Sequence, residues 1–248
     1  MLKKLSEMEG SINGSFTYTL RRLIHIFQSN KELLSSQGWV VGDPYSYSWW
    51  GGGMRTPDEI AISAFLVQLT KWEVVREVMM KLRENGISNV EELSKMDIDD
   101  IDKEISKVNF HKTKARRLKA FSMEAVKLGG VTALVSPPIN EEKLLEIEGI
   151  GKETAKSLLL FISNARVFPP SSYSAIVLGR VIGRHVSQEE ASKAVAEALS
   201  DIYELKLMHA GLISVGKAYC NRKKPKCHEC ILRDVCHYKL NTISYIDR

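Results

Sequence analysis

Behind Thr56-Pro57-Asp58-Glu59, apolar residues recur at Ile62, Phe65, Leu66 and Leu69, the three- and four-residue spacing of one helical face. The four residues before them are a start signal. A threonine oxygen can take an amide proton, a glutamate three positions on can reach back, and proline stands at the first helical position, where its missing N–H is not needed. Ser187-Gln188-Glu189-Glu190 repeats the signal. Asn140 with Glu141 and Glu142 opens another helix that ends near Ile147, and Ala155, Leu158, Leu159 and Ile162 supply the buried face of the next. Strand-type alternation of β-branched residues is hard to find. The pattern predicts an all-α fold. Irregular structure is expected up to about residue 55, around Pro169-Pro170 and through the cysteines.

A chain of 248 residues can build one or two domains with proper cores. No segment approaches the run of about 18 apolar residues that a membrane span needs, and the first residues lack the apolar stretch of a signal peptide. A cytoplasmic protein is therefore expected, with no membrane partner and, if prokaryotic, an association with the nucleoid. The formal charge of +5 is modest, but its distribution is uneven. Between Asn221 and Leu240, six basic residues (Arg222, Lys223, Lys224, Lys226, Arg233, Lys239) face two acids, Glu229 and Asp234. A second basic run, HKTKARRLKA, spans 111–120. Such a footprint suits a polyanion, whereas the second run taken alone reads as a solvated helix face.

All cysteines of the chain lie in one stretch: Cys220, Cys227, Cys230 and Cys236, with the first gap filled by NRKKPK. In a reducing compartment, four thiols this close point to a metal rather than to disulfides. Zinc and an iron–sulfur cubane both fit four thiolates, and the spacing by itself leaves both open.

CNRKKPKCHECILRDVC, preceded by HAGLISVGKAYC, resembles the iron–sulfur loop of the endonuclease III family of DNA glycosylases. That resemblance implies a [4Fe–4S] cluster held by the four cysteines. The cluster would stiffen the loop so that Arg222, Lys223, Lys224 and Lys226 meet DNA phosphates already ordered. A second stretch, LLEIEGIGKETAKSLLLFI (144–162), reads as helix, glycine turn, helix. Gly149 and Gly151 allow a tight turn, and amides there and at Lys152 can hold a phosphate at the positive end of the second helix. A plain helical hairpin is the simpler alternative. Its longer pattern is similar to the helix–hairpin–helix of the same superfamily, which implies that Gly149, Gly151, Lys152 and Thr154 grip one strand of double-stranded DNA. AFLVQLTKWEVV and NFHKTKARRLKAF resemble two further family segments, the first implying that Gln68 fills the gap left by an extruded base.

The resemblance also implies where the chemistry belongs. Family members use an aspartate to stabilise the cationic sugar, and those that cut the strand add a lysine whose amine attacks C1′. Here Ser171 stands at the aspartate position and Glu153 at the lysine position, while Lys152 is turned about 100° away on the helix. Ser171 cannot ionise near neutral pH, so it cannot offset a developing positive charge; it or Ser172 can still cap the following helix. Trp49, Trp50, Trp72 and Tyr173 look like the base-sandwiching aromatics of the 3-methyladenine branch, which would favour a cationic alkylated base. Core packing is the plainer role for tryptophans in a helical protein.

The resemblance implies a bilobal fold. A six-helix barrel lobe would span 56–165, and a cluster lobe would join 1–55 to 166–248 around the loop at 220–236. The expected protein is a monomer that flips damaged bases and excises them without cutting the strand. Its rival is a homologue that binds damaged or distorted duplex without chemistry, and a weaker third is an iron–sulfur redox sensor on DNA.

Overall fold

The computed structural model describes residues 2–137 and 141–238, with side chains of the first helix from residue 16 onward. Asn140 and Lys239 lie outside the described residues. The chain divides into two compact units, 1–41 with 170–248, and 42–169. In chain order the first unit begins with α1 (Leu2–Ser29) and α2 (Lys31–Ser36). The second holds α3 (Pro57–Leu66), α4 (Trp72–Glu84), α5 (Val90–Lys95), α6 (Ile98–Glu104) and α7 (His111–Lys127), then α8 (Val131–Leu134), α9 (Glu141–Leu145) and α10 (Lys152–Phe161). The chain returns to the first unit with α11 (Ser172–Ile182), α12 (Gln188–Ala198) and α13 (Ile202–Ala218). No strand occurs among the described residues, so the fold is all-α.

The N-terminal stretch departs from expectation, because it is mostly helical where irregular structure was predicted. Leu20, Leu23, Ile24 and Phe27 sit at helical spacing and are all buried, so packing rather than propensity holds α1 together. Its partner is α13, whose middle is buried all round, as a central helix must be. The Phe27 ring lies so close to Gly211 that a β-carbon there would come within 2.5 Å of three ring atoms.

Both start signals behave as read: Thr56 accepts from the Glu59 amide in the second unit, and Ser187 accepts from the Glu190 amide in the first. Glu59 itself reaches back to the Arg55 amide at 2.7 Å and is otherwise clasped by Arg83 at 2.6 Å. Burial would raise the Glu59 carboxyl, but these hydrogen bonds and the two guanidinium charges outweigh it and hold it below the ordinary glutamate value.

α7 ties two neighbours together from its basic face. Lys114 donates to the carbonyls of Leu66 and Gln68 and to Thr70 Oγ1, at 2.7, 2.7 and 2.9 Å, and Lys119 donates to the carbonyls of Ser94 and Met96. Two cations of the run at 111–120 are thus caps on the ends of α3 and α5, not a solvated face. Burial lowers the Lys114 ammonium to about 8. Lys112 and Arg116 remain exposed.

Candidate nucleic-acid interface and catalytic positions

The hairpin is built as predicted, with α9 and α10 joined through Gly149 and Gly151. Gly149 has φ +93°, a region that L side chains rarely enter, and a β-carbon there would fall 2.7 Å from the Arg117 side chain and 3.1 Å from the Phe65 ring. Glycine is required on both counts. Arg117 lies over this turn and pairs with Glu148 at 3.3 Å. Gly151 is the N-cap of α10 and is exposed, as is Lys152. Gln68 does not sit on a helix. It occupies the turn after α3, and its Nε2 donates to the Gly149 carbonyl at 3.1 Å and to Thr154 Oγ1 at 3.4 Å. The 67–70 turn is thereby locked to the hairpin.

That turn holds a residue the sequence misplaced. Leu69, read as continuing one helical face, is 79 % exposed with φ +54°. The helix stops at Leu66 because Lys114 takes the carbonyls that would continue it. Asn109 then donates to the Leu69 carbonyl at 2.6 Å, while its own amide donates to Thr70 Oγ1. The next residue, Phe110, is again apolar, exposed and left-handed, at φ +58°. Two large apolar side chains are therefore presented to solvent from strained turns that hydrogen bonds hold in place. No sequence rule flags leucine or phenylalanine for the left-handed region, so this feature emerges only in three dimensions.

The tryptophans divide. Trp49 is fully buried, its indole N–H donating to the Gly42 carbonyl. Trp50 donates to Ser63 Oγ at 2.7 Å and packs edge-on against Phe161 and Trp72, at 5.2 and 6.3 Å between ring centres. Trp72 is half-buried and lies on the backbone of Gly52. In the first unit, Tyr173 is half-exposed and leans on Gly216.

The two positions expected to carry chemistry differ sharply. Ser171 has no exposed surface; its hydroxyl accepts from the Ser174 amide at 3.0 Å and shares a 2.9 Å hydrogen bond with Ser174 Oγ. It is the N-cap of α11. Glu153, in the first turn of α10, keeps more than a third of its surface in solvent. Even so, burial of its carboxyl among surrounding atoms pushes that group up to about 6.

In the first unit the four cysteines are free and part-buried, and Arg222, Lys223, Lys224 and Lys226 are exposed. Arg180 organises the loop. Its guanidinium donates to the carbonyls of Cys220, Asn221 and Arg222 and to Cys220 Sγ at 3.2 Å, while the Leu232 amide donates to Cys230 Sγ at 3.4 Å. Tyr238 stacks over the Arg180 guanidinium at 5.0 Å. Arg180, Arg184, His185 and Arg222 line a cavity of about 1100 Å³. Among the described residues, no three His, Cys, Asp or Glu side chains converge to hold a single metal ion. The four cysteines are a soft, all-sulfur donor set, and Cys220 and Cys230 already receive hydrogen bonds at sulfur.

With these features in place the chain can be assigned to a class: it belongs to the HhH-GPD superfamily of base excision DNA repair proteins, whose profile matches residues 62–225. It is 28 % identical over 206 residues to a candidate DNA repair glycosylase of Methanocaldococcus jannaschii, covering 79 % of this chain and 92 % of the relative. An endonuclease III homologue of Encephalitozoon cuniculi is 28 % identical over 202 residues, covering 73 % and 81 %. A solved complex of endonuclease III with DNA superposes with TM-score 0.71 over 94 % of this chain and 98 % of that one. At 16 % identity that likeness speaks for the fold. No helix among the described residues is long and apolar enough to cross a membrane.

Proposed function

We propose that this protein is a monomeric, monofunctional DNA N-glycosylase that extrudes a damaged base from duplex DNA, with alkylated purines as the favoured class. The hairpin carries the reading. A left-handed glycine turn, the open amino end of α10 and a glutamine tied to both form a rigid surface suited to a phosphate backbone. Leu69 and Phe110, exposed and pinned, are suited to enter the duplex where bases part. Half-buried Trp72, with Trp50 behind it, offers an aromatic surface for a cationic base. With Glu153 rather than lysine at the lyase position, the strand stays intact after the base departs.

Cys220, Cys227, Cys230 and Cys236 would hold a [4Fe–4S] cluster. Bound, it supplies rigidity and negative charge rather than chemistry on DNA. Arg180 and the Leu232 amide would direct hydrogen bonds at its cysteine sulfurs, and the exposed cations of the first gap would meet phosphates.

A second reading is favoured by one observation, the sealing of Ser171 in a cap. It makes the protein a reader of damaged duplex that breaks no bond. Single-turnover incubation of excess protein with duplexes carrying alkylated purines, uracil, mismatched thymine, oxidised pyrimidines or an abasic site separates the two. Excision is expected to give released base from at least one duplex and a strand that breaks only in hot alkali. Tight binding with no release from any of them establishes the reader instead.

A further inference from the structure

In the unit that carries the hairpin, several carboxylates are committed. Glu148 pairs with Arg117, Glu146 with Lys143, Glu141 with Lys156, and Glu59 with Arg83. Ser171 is shut in its cap. Glu153 differs from all of these. Among the described residues it forms no ion pair and no side-chain hydrogen bond, and it is open to solvent. Its position is nonetheless fixed, because the neighbouring Thr154 accepts from Gln68 and the helix behind is anchored by buried Ala155, Leu158 and Leu159. A rigidly mounted, unspent carboxyl on the very element that faces DNA has no structural task.

We propose that Glu153 is the catalytic carboxyl of this protein, standing beside C1′ of the extruded nucleotide and accepting the proton of the water that replaces the base. The proposal rests on reading the chain as an N-glycosylase. In the step, the C1′–N bond breaks and its electron pair leaves with the base. The ionised Glu153 offsets the positive charge left on the sugar. A water oxygen then bonds to C1′ while one of its protons passes to the Glu153 carboxylate. For a cationic alkylated purine the base departs neutral, and Glu153 afterwards returns its proton to solvent. The products are free base and an abasic sugar, and no oxidant or metal enters the balance. A carboxyl raised toward 6 by its surroundings is still mainly ionised at neutral pH, yet basic enough to take that proton.

The test does not require knowledge of the lesion. Two duplexes differ at one site: one carries a pyrrolidine whose ring nitrogen is protonated, mimicking the cationic sugar, and the other a neutral tetrahydrofuran. The ratio of their affinities reports a negative charge at C1′. At pH 7.5 the wild type is expected to favour the pyrrolidine about tenfold or more, the effect of about 1.4 kcal/mol. Glu153→Gln, close in size and on an exposed helical turn, is expected to bring the ratio near one, with Glu153→Asp between them. A ratio that Glu153→Gln leaves unchanged overturns the proposal, and so does a wild type that binds both duplexes equally; in either case the chain still binds the site. A wild type that binds neither duplex better than undamaged DNA overturns the glycosylase reading and this proposal with it.

Discussion

The hairpin at 144–162 and the cysteine loop at 220–236 have the same task under this account and reach their shapes by different means. In the hairpin, the fold does everything. Gly149 turns under Arg117 and Phe65, Gln68 bridges to Thr154, and Lys114 fixes the turn that carries Gln68. The cysteine loop has only tight turns, one short 3-10 segment and the reach of Arg180. Its four cysteines are free and part-buried. One surface is preorganised by packing, whereas the other is held by one guanidinium and a few turns. Either route leaves less disorder to lose when DNA arrives.

The comparison can be broken most forcefully at Gly149. Replacement by valine demands a left-handed β-branched residue and a clash with Arg117 and Phe65, costing about 3 kcal/mol. Urea unfolding is expected to report that loss, and duplex affinity to fall with it. Stability unaffected by Gly149→Val would mean the hairpin is not packed as described.

Acid separates the two units. Burial, reinforced by the charge of Lys217, holds the His209 imidazole neutral down to about 3. The unfolded chain takes up that proton below about 6.5, so this contribution to stability is full above that pH and declines as pH falls. The decline is about 1.4 kcal/mol per pH unit, or about 2 kcal/mol by pH 5. Glu59 is also depressed, and its contribution is lost only as pH falls below the ordinary glutamate range. Hydrogen exchange at pH 5 is therefore expected to speed up in α13 before α3, and His209→Gln should remove the difference. Simultaneous loosening would contradict the assignment.

A smaller effect belongs to Ser171. Ser171→Ala removes a buried cap and is expected to cost about 1 kcal/mol while leaving any base release at its wild-type rate. A collapse of release without loss of stability would return this residue to the chemistry.

Much of this was legible in the chain. The capping boxes at Thr56 and Ser187, the hairpin with its buried face, and the all-helical character follow from periodicity and end signals, which are local. What escaped depends on contacts distant in sequence. Lys114 ends α3 from 48 residues away, turning Leu69 outward, and nothing in AFLVQLT announces it. The first helix hides because its half before Phe16 carries no clear apolar face in the sequence; only packing against α13 reveals why Leu20, Leu23 and Phe27 matter. Trp49 and Trp50 are identical as neighbours in a string, and the fold buries both, one bonded to the Gly42 carbonyl and the other edge-on to Trp72. Ser171 was legible as a cap of the following helix, whereas the exposure of Glu153 appears only in the fold.

The most direct test of the two-surface account is the salt dependence of duplex binding by iron-loaded protein against protein stripped of iron by a chelator. Each phosphate contact contributes about 0.9 to the slope of log affinity against log salt. The stripped protein is expected to keep the hairpin's contacts and lose about two units of slope. Lys223→Ala with Lys224→Ala should reproduce that loss in the loaded protein. Identical slopes for the loaded and stripped forms would show that the cysteine loop does not meet DNA.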